Sequence, residues 1–455
     1  MIVLKFGGTS VKDEIAFSQV LQIISEKSNN EKCLVVLSAC SGITDTLIML
    51  THFAVQNDVD NIKICYEKIS RHHLQLLFRL IPENSQYYQE AEAKIQALLD
   101  ELQEIAKSVN FLKESTPRSL DKIMAYGELL STTLMHYYVL ENKLNAFWVD
   151  ARDIILTDST FNNATVDFEQ SQANVVEKLL PQFADGMQIG ITQGFIAANS
   201  ARQTTTLGRG GSDYTASIFG KFLKAKEIQI WTDVDGILTT DPRMIKEVGT
   251  IPVMEFNEVR SLAYFGAKVI HPDTLIPAIE ENIPIQVLNT FSASSKGTYI
   301  LPKLNHDRSV LHSVIRMDVY KISFSIAKID NFLDESLKII GRIYRENAKI
   351  YSISILPDKL TIWIAKSSFN KSHFATAFAN YSLEISDDQT LFGLIGIRLS
   401  DFDCNYFFNR FHRYKFEYVK MGVSSNEILL SVKNEAAREL HQEINQFILG
   451  NLNVS

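Results

Sequence analysis

The chain has 455 residues, 46% of them apolar, so it is long enough for two or more domains with sizeable cores. A net charge of −8 argues against a broad nucleic-acid-binding surface, although it leaves room for a small basic pocket that takes an anionic metabolite. No window approaches the ~18 uninterrupted apolar residues of a membrane span, and the first residues lack a signal-peptide pattern, so a cytoplasmic protein without membrane contact is expected.

The opening "MIVLKFGGTS" is a short apolar strand that stops at Lys5 and runs into Gly7 and Gly8. Phe17, Val20, Leu21 and Ile24 follow at the spacing of one helix face. "CLVVLSA" (33–39) is a continuous apolar run, as expected of a strand covered on both faces. Residues 60–112 hold no glycine and only Pro82, which predicts a helical hairpin, and 121–140 predict a further helix entered from Pro117 and Ser119. Strands are expected at 145–150 and 188–197, a glycine-rich loop at 204–213, a helix from about Tyr214 to Lys224, and a strand at 227–234. A helix around 255–264 and a last strand at 283–289 complete this part. Alternating strands and helices make an α/β domain with a mostly parallel sheet, whose ligands sit at the carboxyl ends of strands.

Residues 292–310 are polar and turn-rich, which predicts a linker. Beyond it, two small units of similar β-α-β-β pattern follow each other, suggesting a duplicated module. Cys33, Cys40, Cys65 and Cys404 show no CxxC spacing and are expected to be reduced, structural thiols.

Several loops look chemical. Gly7 and Gly8 expose backbone that could form an anion nest, with Lys5 adding a point charge, although Lys5 taken alone reads equally well as a surface lysine. "LGRGGSDYTA" (207–216) puts three glycines and Arg209 ahead of a helix for which Ser212 or Asp213 would be the N-cap; a guanidinium fork and a helix N-terminus both suit an anion. "WTDVDGILTTDPR" (231–243) gathers Thr232, Asp233, Asp235, Asp241 and Arg243, either as a self-capped turn or as a nucleotide-contact loop. "FGAKVIHP" adds Lys268. Glu128 follows Gly127 inside an apolar helix, where an acid needs a partner; Ser38 and Thr44 are hydroxyls at a strand end and a helix start.

In chain order, "KFGGTSV", "VVLSACSGITD", "GELLS", "TQGFI", "LGRGGSDYTA", "WTDVDGILTTDPR" and "FGAKVIHP" together resemble the aspartate kinases of the amino-acid kinase family, over about residues 2–290. The units after 305 resemble the paired ACT regulatory domains of those enzymes. The resemblance implies a three-layer kinase fold over 1–300, then two small α+β, ferredoxin-like ACT domains over 305–372 and 373–455. It implies transfer of phosphoryl from ATP, with Mg2+, to the side-chain carboxylate of L-aspartate, the first step toward lysine, threonine and methionine. It assigns catalysis to Lys5, Gly7, Gly8 and Asp213. Aspartate would be bound by Ser38, Thr44, Glu128, Arg209 and Ser212. The nucleotide would meet Lys5, Phe6, Gly7, Gly8, Thr232, Asp233, Leu238, Arg243, Lys268 and Val269. No protein-held metal site is implied. An amino-acid effector and a homodimer or tetramer through the ACT domains are expected.

The chain departs from the pattern at two places. Leu238 stands where relatives often have a tyrosine, which removes one nucleotide contact. In "IYSISILPDKLTIWI" Ser352 and Ser354 remain but the acid of lysine-sensing relatives is missing, which speaks against lysine as effector. Two other readings are weighed: a kinase of the same fold for another acceptor, opposed by "GELLS", "FGAKVIHP" and the C-terminal repeats, and a non-catalytic amino-acid sensor, opposed by Lys5, Arg209 and Asp213. A fused homoserine dehydrogenase is not expected, since no GxGxxG region follows the repeats.

Overall fold

A computed structural model describes residues 1–455 except 268–269, 293–294, 304–309, 326–331, 370, 398, 400–401, 422–425 and 453–455. The chain separates into two compact units. The first comprises Met1–Ile237, Pro252–Phe256 and Val269–Leu304; the second comprises Leu238–Ile251, Asn257–Lys268 and Asn305–Ser455.

The first unit opens with β1 (Ile2–Phe6), α1 (Glu14–Ser28) and β2 (Cys33–Leu37). The helices α2 (Ile43–Gln56), α3 (Val59–Leu80), α4 (Gln86–Leu112), α5 (Pro117–Met124) and α6 (Tyr126–Glu141) follow. Next come β3 (Ala146–Trp148), β4 (Leu156–Thr157), α7 (Phe168–Asn174) and, after a π turn, α8 (Leu180–Ala184). The unit continues with β5 (Ile189–Gln193), β6 (Ile196–Asn199), β7 (Thr204–Thr206), α9 (Gly211–Phe222) and β8 (Glu227–Thr232). Its last elements are β9 (Val253–Glu255), the start of α10 (Phe256–Tyr264), α11 (Ile276–Glu280), β10 (Ile285–Asn289) and β11 (Thr298–Leu301). Eight strands form one sheet in the order β3-β5-β2-β1-β8-β10-β11-β9. All neighbours run parallel except β10 and β11. β1 and β2 are buried along their whole length because they lie mid-sheet under helices on both faces, which is what their unbroken apolar runs demand.

Three expectations change here. The 121–140 helix is two helices, with Ala125 between them; a Thr116/Ser119 capping box and Pro117 at its first turn start the shorter one. The apolar spacing continues across the join, so periodicity alone does not reveal it. The 188–197 strand is split, and β6 leaves the main sheet for a three-stranded one with β4 and β7. The polar stretch 292–310 is not simply a linker, since Thr298–Leu301 is a strand of the main sheet, with Thr298 and Ile300 buried and Tyr299 outward. Four residues are too short for a periodicity signal to stand out from a turn-rich background.

In the second unit the long β12 (Val310–Ser325) is followed by α12 (Phe332–Arg345), β13 (Ile350–Leu356), β14 (Lys359–Ala365), α13 (Lys371–Ala377) and β15 (Ser382–Ser386). Then come β16 (Gln389–Ile397), α14 (Cys404–Arg410), β17 (Tyr418–Met421), β18 (Glu427–Lys433) and α15 (Asn434–Leu452). These strands make one antiparallel sheet of two ferredoxin-like modules. The modules are interleaved. Residues 319–325 of β12 pair with β14 and β15, and Ile322 and Phe324 join the core of Ile339, Ile343, Phe374 and Phe378. Residues 310–318 pair with β16, and Leu311 and Val314 join the core of Phe392, Phe407, Leu440 and Ile444. The second module therefore takes a strand from ahead of the first. A cut between 372 and 373 passes through α13, whose Phe374 belongs to the first module's core. Order along the chain does not report which strand edges pair.

Candidate active site

Lys5 is the second-last residue of β1, and its ammonium lies 2.6 Å from Oδ1 of Asp213 in the first turn of α9; both side chains are mostly buried. A Cβ on Gly7 would sit 3.7 Å from Lys5 Nζ, so glycine keeps the space beside the amine open. Gly8 is required for a different reason. A Cβ there would meet the Ala39 carbonyl at 2.8 Å, because the turn after β1 presses on the turn after β2. The Gly7 N–H donates to the Trp231 carbonyl at 3.1 Å, so it cannot belong to an anion nest as its glycine suggested. Phe6 is fully buried and stacks on Trp231, and its carbonyl accepts from the Ser38 N–H, so its ring is core.

Arg209 sits between two left-handed glycines, Gly208 at φ +74° and Gly210 at φ +73°. Glycine is needed at both on conformational grounds, and a Cβ on Gly208 would also lie 2.4 Å from Asn163 Oδ1. The turn leaves the Arg209 guanidinium exposed and without an ion-pair partner among the described residues. Gly210 is the N-cap of α9, with no side-chain cap; Ser212 and Asp213 lie inside the first turn rather than at the cap. Likewise Gly42, at φ +77°, is the N-cap of α2, and Thr44 is its second residue. In both helices a left-handed glycine replaces the expected hydroxyl or acid cap, which releases Thr44, Ser212 and Asp213 to face the cavity.

Glu128 is 3% exposed at the start of α6. Gly127 lets this helix end approach the turn after β2, since a Cβ on it would fall 2.7 Å from the Ala39 Cβ. Oε1 of Glu128 then accepts from the Ala39 N–H at 3.1 Å, while Oε2 is buried with no partner. Burial pushes this carboxyl up to about 8 against the pull of the Ala39 N–H, so it holds a proton at neutral pH until a cation reaches it. Ser131 donates to the Ser38 carbonyl at 2.8 Å and ties α6 to the same turn.

These elements surround a cavity of about 440 Å³ lined by Lys5, Gly8, Ser38, Thr44, Glu128, Arg209, Ser212 and Asp213. Ser41, Gly42, Asp45 and Phe195 also line it. Sequence reasoning missed these four, although each lies inside a quoted motif. Phe195 takes a left-handed backbone at φ +68°, uncommon for an aromatic residue, and its ring fits because Gly211 has no side chain. Cys40 also lines the cavity, and burial raises its thiol far above the usual range, away from nucleophile chemistry. Burial likewise pushes Cys33 up to about 12.

The remaining expected residues lie elsewhere. Thr232 ends β8 and Asp233 follows it, and neither lines this cavity; the Thr232 hydroxyl donates to Asp233 at 3.1 Å. Leu238 and Arg243 belong to the second unit, where Arg243 is exposed and paired with Asp241 at 2.6 Å. Lys268 and Val269 lie outside the described residues. No three of the His, Cys, Asp and Glu side chains gather as a metal site among the described residues.

The amino acid kinase family model matches residues 1–289. The lysine-sensitive aspartokinase 3 of Escherichia coli is 30% identical over 456 residues, covering 98% of each chain. The chloroplastic aspartokinase 3 of Arabidopsis thaliana is 36% identical over 317 residues, 69% of this chain and 55% of that one. The crystal structure of E. coli aspartokinase III with lysine and aspartate (T-state) superposes with a TM-score of 0.81 at 28% identity, covering 98% of this chain and 99% of that one. The same enzyme with aspartate and ADP (R-state) gives 0.76 at 28% identity, covering 98% and 100%.

Proposed function

The chain belongs to the amino acid kinase family, among its aspartokinases, and from that premise we propose that the cavity binds L-aspartate and that ATP phosphorylates its side chain. The observation that carries this reading is the set of groups around one cavity. An unpaired guanidinium, a buried carboxyl with a free oxygen and a lysine amine match the carboxylate, ammonium and phosphoryl sides of the reacting pair.

A side-chain carboxylate is already ionised at neutral pH, so the acceptor needs no general base. One of its oxygens forms a bond to the γ-phosphorus of ATP, the bond from that phosphorus to the β,γ-bridging oxygen breaks, and ADP leaves with that electron pair. The products are 4-phospho-L-aspartate and ADP. Two anions must be brought together, so positioning and positive charge do most of the work. Arg209 grips a substrate carboxylate with its fork. Glu128 gives up its proton and receives the ammonium, with Ser38, Thr44 and Ser212 lining the pocket. Asp213 aims Lys5, whose charge moves onto the transferring phosphoryl, while Gly7 keeps a side chain out of its path and Gly8 lets the turn after β1 close on the turn after β2. Thr232, Asp233, Leu238, Arg243, Lys268 and Val269 are assigned to the nucleotide by the motifs that contain them. Magnesium fits as an ion carried on the ATP phosphates, with Asp213 the carboxylate beside Lys5 that would meet it, and it would neutralise phosphate charge.

The C-terminal modules are proposed to pair with a second copy and to host an amino-acid effector. Ser352 lies 2.8 Å from the Tyr418 hydroxyl and ties β13 to β17, while the missing acid remains the ground for doubting lysine as that effector. Hydroxamate trapping of product from L-aspartate, ATP and magnesium, with glutamate as control acceptor, tests the reading. Aspartate-dependent hydroxamate is expected, and its absence rejects the activity. Repeating the assay with lysine and with threonine tests the effector, and a flat lysine response is expected.

A further inference from the structure

The second unit buries a polar network that the reaction chemistry does not use. Thr239 and Thr240, near the start of the segment 238–251, are 0% and 6% exposed, and His441 and Asn445 of α15 are 2% and 0% exposed. The two pairs meet. Thr239 Oγ1 donates to Asn445 Oδ1 at 2.8 Å, and Thr240 Oγ1 lies 2.7 Å from His441 Nε2. Asn445 also reaches the far end of the segment, where its Nδ2 donates to the Glu247 carbonyl at 2.6 Å.

Backbone bonds close the same loop. The Thr239 N–H donates to the Gly249 carbonyl at 2.9 Å, and the Val314 N–H of β12 donates to the Thr239 carbonyl at 2.9 Å. Gly249 packs so tightly on α15 that a Cβ would fall 2.7 Å from Leu449 Cδ2. Between these anchors Pro242, Arg243, Met244 and Lys246 are exposed. Asp241 organises that tip by accepting from the Arg243 N–H at 2.9 Å and pairing with its guanidinium. An exposed tip does not need a buried polar clamp in order to be solvated. Burying four polar side chains is costly unless every bond is made, and what a fully satisfied network adds is a unique position.

We propose that Asn445 and His441 are positioning residues for the phosphoryl donor: the C-terminal helix grips residues 239–249 at both ends and so fixes where Asp241 and Arg243 stand when ATP binds. This rests on the reading of the "DPR" loop as a nucleotide contact.

The test uses the full chain with Asn445→Leu, which keeps size but makes neither bond, and Thr239→Val, which swaps the hydroxyl for a methyl. Thr239→Val is expected to raise the KM for ATP about tenfold, and Asn445→Leu, which also loses the Glu247 bond, at least as much, with kcat and the KM for aspartate within about twofold of the parent in both. Trypsin cleavage after Arg243 or Lys246 should accelerate in both. The double variant should fall short of the product of the two singles, since both changes remove the Thr239–Asn445 bond. Thr239→Ser should restore parental values, and the Thr239 pair decides the matter even if Asn445→Leu folds poorly. Parental KM for ATP and parental cleavage in Thr239→Val, with Arg243→Ala raising that KM, would overturn the proposal. Faster cleavage with the KM for ATP unmoved, in Arg243→Ala as well, would refute the nucleotide reading and reduce the clamp to a structural one.

Discussion

An ammonium 2.6 Å from a carboxylate is electrostatically quiet, and Lys5 rests in that state beside Asp213. In the proposed reaction an arriving phosphate draws it away, so Lys5 would act on charge that develops during transfer more than on resting ATP. Lys5→Ala should therefore lower kcat by about 10³-fold or more while leaving the melting temperature within a few degrees. Near-normal turnover in that variant would remove Lys5 from the mechanism. Glu128 makes a second prediction. Its carboxyl is raised to about 8 in the free enzyme, and an ammonium partner stabilises only the ionised form. Below that pH, binding aspartate must expel a proton. The KM for aspartate should fall as pH rises, by up to about tenfold per unit, and level off above about 8. Glu128→Gln should weaken binding and abolish the slope; a slope that survives the substitution would assign it to another group.

Elements were legible where physics acts locally and hidden where it does not. β1, β2 and α1 could be read directly, because burial on two faces or one stripe dictates their residue patterns. That Lys5, Glu128, Arg209 and Asp213 meet at one cavity was legible because each lies within or beside a glycine-bearing strand or helix end. The caps were misread: Gly42 and Gly210 solve both helix starts by backbone conformation, leaving no side-chain signature. β11 and the division of β12 were out of reach because pairing partners are set by the assembled sheet. The position of α9 makes an element-scale prediction, since it carries Asp213 toward Lys5. Gly220 on that helix has no room for a methyl, as a Cβ would lie 2.4 Å from Ile228 Cδ1 of β8. Gly220→Ala should push the helix off the sheet, costing about 1–3 kcal/mol in chemical denaturation and lowering kcat. Adding Ile228→Val, which deletes that methyl, should recover part of both. No recovery would mean that the clash is absorbed elsewhere.

The whole molecule is balanced between buried groups that titrate in opposite senses. Burial pushes His73 and His136 in the first unit and His441 in the second down to about 4. The unfolded chain takes up these protons from about pH 6.5, so stability falls as pH drops from there to about 4, by up to about 3 kcal/mol for fully buried His73. Glu128 acts in reverse. Protonated when folded and ionised when unfolded, it removes stability from the ligand-free protein as pH rises from about 4.5 to about 8. The melting temperature without ligand should peak at roughly pH 7, and Glu128→Gln should flatten the alkaline limb while leaving the acid limb in place. An unchanged alkaline limb would place its cause outside Glu128.

The strand shared by the two C-terminal modules also bears on descent. A gene that exchanged only the first module with a relative would have to splice twice: once between residues 318 and 319, inside a continuous strand, and once in the Asp387–Asp388 turn before β16. Each half of that strand is matched to a different core, so a chimaera cut at module borders inherits one strand with two parents. Recombination is therefore tolerated best when residues 310–452 travel as a single heritable block, and homologues should differ by drift within the pair more readily than by replacement of one member.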